Sequence, residues 1–468
     1  MKRLGSLFQR ARKKKFVRDT LILQVSTVVQ NGTYFVTSVL TAKLLGLEQL
    51  GRWTTSRELY TFVFFMVSMG LTNAAISMYS RAHGADDDSA RVNAIAALLK
   101  LGAVVTALLL AAAVFVMPWA GEYFYRDRTI GLVTSVLCFS VAGEILRALA
   151  MAVLGGSRQM KRYALFDMTT NVLRVGLVAS ALAISPTPMA VGVAYLAHGF
   201  TSGLLALRAY AQVRADGDPR LAPPPLRRVL AAVPSAPLRE FFGLAFLLSL
   251  SKAMNTLVPR LAPLLIPILG VSTISQGMEA NGAYSVGLVL TMVLTGGVGA
   301  IAQNVLPTMG QKMGESDVTL LELAPLFRRL SLMAGAISMG TTLLSVPIMW
   351  FVVTYAYGAE FAEAFEYYLL LATGNLFIGF AVIVEPFYIY AKRLGHHVAQ
   401  SLVYSVLAVA GIASATTAFG PKGAALAAGL CKLFVLCHLV YIWVYFRRAR
   451  ARRDTLPTES DDSLADPT

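Results

Sequence analysis

The chain has 468 residues, of which 56% are hydrophobic and only 14% charged, and its formal net charge is +15. A soluble domain carries roughly 25% charged residues, so this composition excludes an ordinary soluble fold. Apolar runs recur from Leu21 to Phe446, each long enough to cross a bilayer core of about 30 Å, and they predict an all-α polytopic membrane protein. The basic residues cluster at the termini and in alternate loops, which is typical of membrane topology and argues against nucleic acid as a partner.

The predicted elements form two lobes. Residues 1–18 are basic and show no cleavage site, so we expect a cytoplasmic N-terminal segment. Six membrane helices follow within the N-lobe, 19–211, near 19–44, 57–80, 92–118, 129–154, 162–184 and 189–211. Six more lie within the C-lobe, 240–446, near 240–268, 281–307, 325–354, 364–390, 397–418 and 422–446. A total of about twelve helices returns both termini to one side of the membrane.

Two further segments are polar. Residues 212–239 are rich in proline and arginine, which predicts a solvent-exposed cytoplasmic linker, and residues 447–468 form a cytoplasmic tail. The excess of Lys and Arg on the side of the termini predicts that this side is the cytoplasm. In a bacterium, we expect the protein in the plasma (inner) membrane. The opposite side then receives few basic residues: Lys43, Arg52, Arg57, Arg126, Arg128 and Lys422.

The two lobes repeat one sequence pattern. An ungapped shift of 231 residues carries Gly51 onto Gly282 and Asn73 onto Asn304. The same shift relates Trp53 to Tyr284, Lys161–Arg162 to Lys392–Arg393, and Gly192 to Gly423. Six is an even number of helices, so both copies share one orientation in the membrane. Parallel repeats of this kind are typical of transporters that hold their substrate between the lobes near the midplane.

Polar side chains recur at helical spacing within the first and seventh predicted helices. Arg260 shares a face of the seventh helix with Lys252, and Asn255 lies beside that face, while Asn31 belongs to a polar stripe on the first helix. A Lys or Arg at the bilayer centre costs about 3 kcal/mol, so we predict that these residues line a wet cavity between the lobes and bind substrate. The alternatives are that Arg260 extends to the headgroups and that Asn31 makes hydrogen bonds between helices.

Proline is concentrated in the outer half of the seventh helix. Each of these prolines removes a backbone donor, which predicts a distorted segment that acts as a hinge. The residues are Pro259, Pro263 and Pro267.

Charged residues also occur in the fourth, fifth and twelfth helices. Glu144 and Arg147 are three residues apart, Asp167 and Arg174 lie on one face, and Lys432 is near the middle of its helix. We predict that the three cations face the cavity and that the two carboxylates exchange a proton or a sodium ion, with structural ion pairs between helices as the alternative. The sequence contains no nucleotide-binding, metal-binding or catalytic motif, so neither an enzyme nor a resident cofactor is expected.

Several connections between helices are similar to those of one transporter family. "VLGGSRQMKRYALFDM" (153–168) and "AKRLGHHVAQSLVYSVLAVAGIASATTAFGPKGAALA" (391–427) resemble paired connections in Wzx-type oligosaccharide flippases. "AKLLGLEQLGRW" (42–53) and "NGAYSVGLVL" (281–290) resemble the turn after the first helix of that family and its repeat. The family is the polysaccharide-transport branch of the multidrug/oligosaccharidyl-lipid/polysaccharide (MOP) superfamily.

The resemblance implies a MATE/MOP-like fold and a flippase function. Such a protein moves an undecaprenyl-diphosphate-linked oligosaccharide from the inner to the outer leaflet for cell-surface polysaccharide assembly. Its partners are the lipid-linked oligosaccharide, membrane lipids and, in a pathway, a polysaccharide polymerase and glycosyltransferases. Two alternatives stay open: a cation-coupled multidrug or metabolite exporter of the same superfamily, and a non-transporting membrane partner of a polysaccharide-assembly complex.

The charge asymmetry of the loops predicts that both termini are cytoplasmic. Reporter domains fused after Ala215 and at the C-terminus should both report the cytoplasmic side, because both sites follow an even number of spans. A periplasmic signal from either fusion would overturn the twelve-helix topology.

Overall fold

A computed structural model describes residues 2–68, 70–157, 159–215, 222–293, 321–391 and 393–455. The secondary structure of this part of the chain is almost entirely helical and contains no β-strand, which confirms the all-α class. Within the described ranges, seven segments are long and apolar enough to span a membrane, and one of them, Gly395–Ala451, has 57 residues and includes parts of two helices. The polytopic membrane architecture is therefore confirmed, while the count of twelve rests in part on residues 294–320, which lie outside the described residues.

Eight helices form the N-lobe in the described ranges, and a short one follows in the linker. They are α1 (Lys2–Ser68), α2 (Leu71–Gly84), α3 (Asp88–Phe115), α4 (Met117–Tyr125), α5 (Arg128–Phe139), α6 (Val141–Gly156), α7 (Met160–Ile184), α8 (Pro188–Ala215) and α9 (Leu226–Ala232). Asp87 and Asp127 begin α3 and α5 because their side chains accept hydrogen bonds from backbone amides of the first turn. Gly46 has a φ of 72° and divides α1 into a first and a second arm.

The C-lobe repeats this plan. Its helices are α10 (Leu238–Leu269), α11 (274–293), α12 (Ala324–Val352), α13 (Ala362–Ile378), α14 (Val384–Tyr390), α15 (Leu394–Cys431) and α16 (Phe434–Thr455). A π-helical turn, Val353–Tyr357, and two 3₁₀ segments, Ala359–Phe361 and Gly379–Ile383, connect them. Gly420 has a φ of 65° and divides α15, as Gly46 divides α1.

The shift of 231 residues relates helix bounds as well as single residues. It carries the span Arg128–Gly156 onto 359–387, and the structure has a membrane-spanning segment at Ala359–Tyr388. It also carries the dividing Gly46 onto Gly277, at the start of α11. The predicted parallel repeat of two lobes is therefore present in the helix pattern.

Equivalent glycines of the two repeats face each other. A Cβ added at Gly51 would lie 1.8 Å from the carbonyl oxygen of Met278, and a Cβ added at Gly282 would lie 2.2 Å from that of Leu47. The 231-residue shift relates Gly51 to Gly282 and Leu47 to Met278, so the contact is reciprocal. Only glycine permits this approach of two backbones, and it fixes the second arm of α1 against α11 at a pseudo-twofold axis.

The second span begins earlier than the sequence predicts. The sequence predicts that the second helix begins near residue 57, with Arg57 on the outer side of the membrane. In the structure the second arm of α1 starts directly after Gly46, so Arg52, Arg57 and Glu58 lie inside a helix, and Glu58 is 1% exposed. Charged residues are typical of loops, but a membrane helix can contain them when they are paired, as Arg52, Arg57 and Glu58 are.

The linker is also more ordered than predicted. The Tyr210 hydroxyl donates a 2.5 Å hydrogen bond to the carbonyl of Pro224, and Lys100 Nζ donates a 2.6 Å bond to the carbonyl of Pro234. Val229 of α9 is buried against the N-lobe, and Arg228 pairs with Asp88 at the surface. The linker from residue 222 onward is thus attached to the N-lobe at several points, while other residues of it, such as Arg227 and Arg239, are exposed. Residues 216–221 lie outside the described residues.

The proline-rich end of α10 is a continuous helix from Leu238 to Leu269. Pro267 has no N–H to donate to the carbonyl of Pro263, one turn earlier. That carbonyl instead accepts a 2.9 Å hydrogen bond from Asn281 Nδ2, which also donates to Thr55 Oγ1 at 2.8 Å. A neighbouring helix therefore satisfies the group that proline frees. The prolines do not interrupt α10, and their role as a hinge stays a prediction.

The reciprocal glycine contact leads to a stability prediction. Gly51→Ala and Gly282→Ala should each destabilise the protein by about 2 kcal/mol, because the new Cβ must push two backbones apart. The measurement is thermal unfolding in detergent. Gly32→Ala in the first arm of α1 is the control, since a Cβ there meets nothing within 4 Å. Wild-type stability of both variants would show that the lobes do not meet at these residues.

Candidate functional site

A small, mainly polar cavity lies between the lobes. Both arms of α1 and α8 contribute from the N-lobe, and α11 contributes from the C-lobe. The lining residues are Tyr34, Thr37, Ser38, Thr41, Leu50, Trp53, Thr54, Arg57, Tyr195, Ser285 and Val289. Hydroxyl groups, aromatic rings and one guanidinium are groups that bind polyhydroxylated and anionic molecules.

An ion-paired cluster beside this cavity joins the two lobes. Arg260 of α10 places Nη1 2.6 Å from Glu58 Oε2 on the second arm of α1. Arg57 places Nη2 2.6 Å and Nε 3.0 Å from the other oxygen, Glu58 Oε1. Arg260 therefore lies at the lobe interface, and its charge is compensated by a carboxylate that the sequence did not identify. Its role in substrate binding stays a prediction.

Two arginines flank one tyrosine ring at the cavity. The Arg57 guanidinium lies 5.7 Å from the centroid of the Tyr34 ring, and the Arg174 guanidinium lies 5.8 Å from the same centroid. Such contacts partly compensate a desolvated cation. Within the described residues, Nε and Nη2 of Arg174 are buried and have no hydrogen-bond partner. The ring of Tyr34 thus connects Arg174 to Arg57, and the carboxylate of Glu58 connects Arg57 to Arg260. Among the described residues, this cluster has three cations and one carboxylate, so its net charge is +2.

The predicted ion pair in the N-lobe is present and is larger than expected. Arg147 Nη2 lies 2.9 Å from Asp167 Oδ1, and its Nη1 lies 3.4 Å from Glu144 Oε2. Ser26 Oγ donates to Asp167 Oδ2 at 3.2 Å, which ties the first arm of α1 to α7. Asn171 Nδ2 donates to the backbone carbonyl of Asp167. The cluster joins three helices of one lobe, and its role in ion coupling stays a prediction.

His198 is part of this cluster and was not identified from the sequence. Its Nε2 is 3.1 Å from the carbonyl oxygen of Thr170, and its Nδ1 is 4.0 Å from Glu144 Oε1. Nothing in the local sequence marks it, because a single histidine in an apolar helix is most often a packing residue. For Arg57 and Glu58 a signal existed: the glycine turn at Gly46 ends the outer loop eleven residues before Arg57.

Lys432 lies apart from the arginines. It follows the end of α15, and its Nζ donates a 2.7 Å hydrogen bond to Asn375 Oδ1 of α13. No carboxylate in the described part of the chain lies within ion-pair distance of it. The 231-residue shift relates Asn375 to Glu144, so the C-lobe has an amide where the N-lobe has a carboxylate. The described residues show no contact between Lys432 and Arg57, Arg174 or Arg260, and the place of Lys432 in the cavity stays a prediction.

The other predicted site residues belong to α1 and α10. Asn31 is half-buried on the first arm of α1, one turn before Tyr34. The side chains of Lys252, Asn255 and Pro259 lie outside the described residues, although their backbone belongs to α10. In the part of the chain that is described, no group of three or more His, Cys, Asp and Glu side chains is placed to hold a metal ion.

Comparison with known proteins identifies a family. A family model described as "Polysaccharide biosynthesis protein" matches residues 16–313, which is more than half of the chain. No curated protein matches the sequence.

Solved structures show the same fold. An inward-facing multidrug resistance MATE family transporter of the MOP superfamily has a TM-score of 0.67 and 13% identity, covering 93% of this chain and 100% of that one. The lipid II flippase MurJ, in an inward closed conformation, has a TM-score of 0.65 and 14% identity, covering 92% of this chain and 87% of that one. A MOP superfamily transporter from Pyrococcus furiosus has a TM-score of 0.65 and 14% identity, covering 94% and 96%. At 13–14% identity, the similarity to these structures shows that the fold is shared.

The N-lobe cluster leads to a prediction about stability. Arg147→Gln should destabilise the protein by about 3 kcal/mol, because it leaves Asp167 buried without a compensating cation. The double variant Arg147→Gln/Asp167→Asn should recover most of this loss, as measured by thermal unfolding in detergent. The matched control is Lys43→Gln, which removes an exposed charge. Strictly additive effects of the two substitutions would show that the pair is not coupled.

Proposed function

Because the chain belongs to the polysaccharide biosynthesis protein family, we propose that it is a flippase for an undecaprenyl-diphosphate-linked oligosaccharide. The observation that carries this proposal is the surplus of positive charge at the lobe interface, where Arg57 and Arg260 bind the carboxylate of Glu58 and Arg174 lies against the same tyrosine ring as Arg57. A desolvated surplus of guanidinium groups favours an anionic substrate over a cationic one. The diphosphate of a lipid-linked sugar supplies such an anion.

The cavity lining also suits the sugar part of this substrate. Trp53 and Tyr195 have ring centroids 5.0 Å apart, and hydroxyl groups of Thr37, Ser38 and Thr54 line the same cavity. Flat rings offer apolar faces to sugar rings, and hydroxyl groups can donate to or accept from sugar hydroxyls. The lipid chain would remain in the bilayer while the polar headgroup crosses between the lobes.

Transport by alternating access fits the two-lobed fold. Rocking of the lobes about the reciprocal contact of Gly51 and Gly282 would open the cavity first to the inner and then to the outer leaflet. Asp167 and Glu144 are the candidates for coupling to a proton or a sodium ion, since both are partly buried carboxylates that share one arginine. In a pathway, glycosyltransferases would supply the substrate in the inner leaflet and a polymerase would use it in the outer leaflet.

A cation-coupled exporter of drugs or metabolites is the second candidate. It is favoured by the N-lobe cluster, where two carboxylates face one arginine, and by the fold shared with a multidrug resistance transporter. Efflux of small cationic dyes from vesicles distinguishes the two functions. Dye efflux without movement of a lipid-linked oligosaccharide would favour the exporter.

The flippase proposal predicts the effects of removing the interfacial cations. In proteoliposomes that contain a fluorescent lipid-linked oligosaccharide, Arg57→Ala and Arg260→Ala should reduce translocation by about 100-fold, because each removes a charged contact with the phosphates. Arg260→Lys should retain part of the activity, since lysine keeps the charge but lacks the planar pair of donors. Lys252→Ala should have a smaller effect if this residue only supplements the charge.

The matched control is Arg208→Ala, which removes an exposed arginine of α8. Protein level and membrane insertion are measured for each variant, so that a loss of translocation is not confused with a loss of protein. Normal translocation by both Arg57→Ala and Arg260→Ala would contradict an anionic headgroup in this cavity.

A further inference from the structure

Among the described residues, Glu58 is the one carboxylate of the cluster at the lobe interface, and arginines of both lobes bind it. We propose that Glu58 is an internal anion that occupies the place of the substrate's phosphates while the cavity is empty. Substrate displaces it from Arg57 and Arg260, and this displacement releases the lobes. The inference rests on the proposed function and assigns to one residue the coupling between substrate binding and lobe opening.

The geometry around Glu58 is that of a bound oxyanion. One carboxylate oxygen accepts two hydrogen bonds from Arg57, at 2.6 and 3.0 Å, and the other accepts one from Arg260 at 2.6 Å. A phosphate group offers acceptor oxygens of the same kind with a larger charge, and guanidinium groups bind phosphate as well as carboxylate. The site that holds the carboxylate is therefore able to hold a phosphate.

The arginines are more accessible than the carboxylate. The side chains of Arg57 and Arg260 are 17% and 25% exposed, whereas that of Glu58 is 1% exposed. An incoming anion can thus contact the guanidinium groups before Glu58 moves. Because the three nearby arginines outnumber Glu58, a multivalent anion gains more from the site than the carboxylate does.

Displacement of Glu58 also removes a charged connection between the lobes. Glu58 belongs to α1 of the N-lobe and Arg260 to α10 of the C-lobe, so the lobes cannot separate here while the pair is intact. The adjacent connection, from Asn281 to Thr55, is a neutral hydrogen bond and is weaker. An anion that takes the place of Glu58 on Arg260 therefore lowers the cost of separation, and by reciprocity separation raises the affinity for the anion.

The experiment measures lobe separation and anion binding in the same protein. Spin labels are attached at Glu122→Cys on α4 and Glu360→Cys in the C-lobe, both exposed, in a background with Cys437→Ser because Cys437 is the exposed native cysteine. Distances between the labels are measured in lipid nanodiscs by pulsed electron paramagnetic resonance. The probe is inorganic diphosphate, whose affinity is measured by calorimetry.

Diphosphate should increase the long-distance population of the wild type, and Glu58→Gln should increase it without any ligand. Glu58→Gln should also bind diphosphate about tenfold more tightly, whereas Arg260→Gln should open the lobes but bind diphosphate about tenfold more weakly. If the Glu58–Arg260 pair had only a structural role, Glu58→Gln and Arg260→Gln would change the affinity for diphosphate in the same direction. Glu48→Gln, which breaks the Glu48–Arg52 pair within the N-lobe, is the control and should change neither quantity.

Three results would overturn the inference: no response of the wild type to diphosphate, unchanged distances in Glu58→Gln, or weaker diphosphate binding by that variant. These outcomes are separate from failure of the proposed function. If diphosphate separates the lobes of the wild type but the protein never moves a lipid-linked oligosaccharide, the role of Glu58 as an internal anion is supported and the proposed substrate is wrong. If the wild type moves the oligosaccharide while Glu58→Gln has wild-type label distances and diphosphate affinity, the proposed substrate is supported and the role of Glu58 as an internal anion is wrong.

Discussion

The pairing of Glu58 with Arg57 and Arg260 is the contact on which the lobe interface depends. An unpaired arginine within a membrane costs several times the thermal energy, so an empty cationic cavity needs an internal anion to be stable. A single carboxylate, in contact with both lobes, compensates part of that charge and leaves a surplus of two cations with Arg174 included. Stability of the empty protein and attraction for an anion thus arise from one arrangement of side chains.

The internal repeat determines the arrangement of the helices, and the charged clusters occur at positions where the two copies of the repeat differ in sequence. The reciprocal contact of Gly51 and Gly282 relates the lobes, and it permits the backbones of α1 and α11 to approach closely. The charged clusters do not follow this symmetry, because Glu144 corresponds to Asn375 and the positions equivalent to Arg57 and Glu58 are Leu288 and Val289. A symmetric frame with an asymmetric charge distribution lets one lobe carry the carboxylates while both lobes contribute cations.

Much of the architecture could be predicted from the sequence. The length of the apolar runs requires membrane helices, and the period of 231 residues requires two parallel lobes. The connections, as in "VLGGSRQMKRYALFDM" (153–168), were sufficient to identify the transporter family, and the family model and the fold agree. The pairing of Glu144 with Arg147 also followed from their spacing of three residues along one helix, whereas the contact of Arg147 with Asp167 on the next helix was not predicted.

Only the tertiary structure decided which cations meet at the interface. Spacing along a helix relates residues three or four positions apart, but Arg260 and Glu58 are 202 residues apart in the sequence. The sequence assigns Arg57 to the outer side of the membrane because basic residues are typical of loops, and it does not identify Glu58 as a partner of Arg260. It predicts Lys432 in the cavity because a cation within a membrane helix is typical of a functional site. The partners of these residues could not be predicted, because the energy of a buried charge depends on its partner in space, and a different helix supplies the partner of Arg260 and that of Lys432.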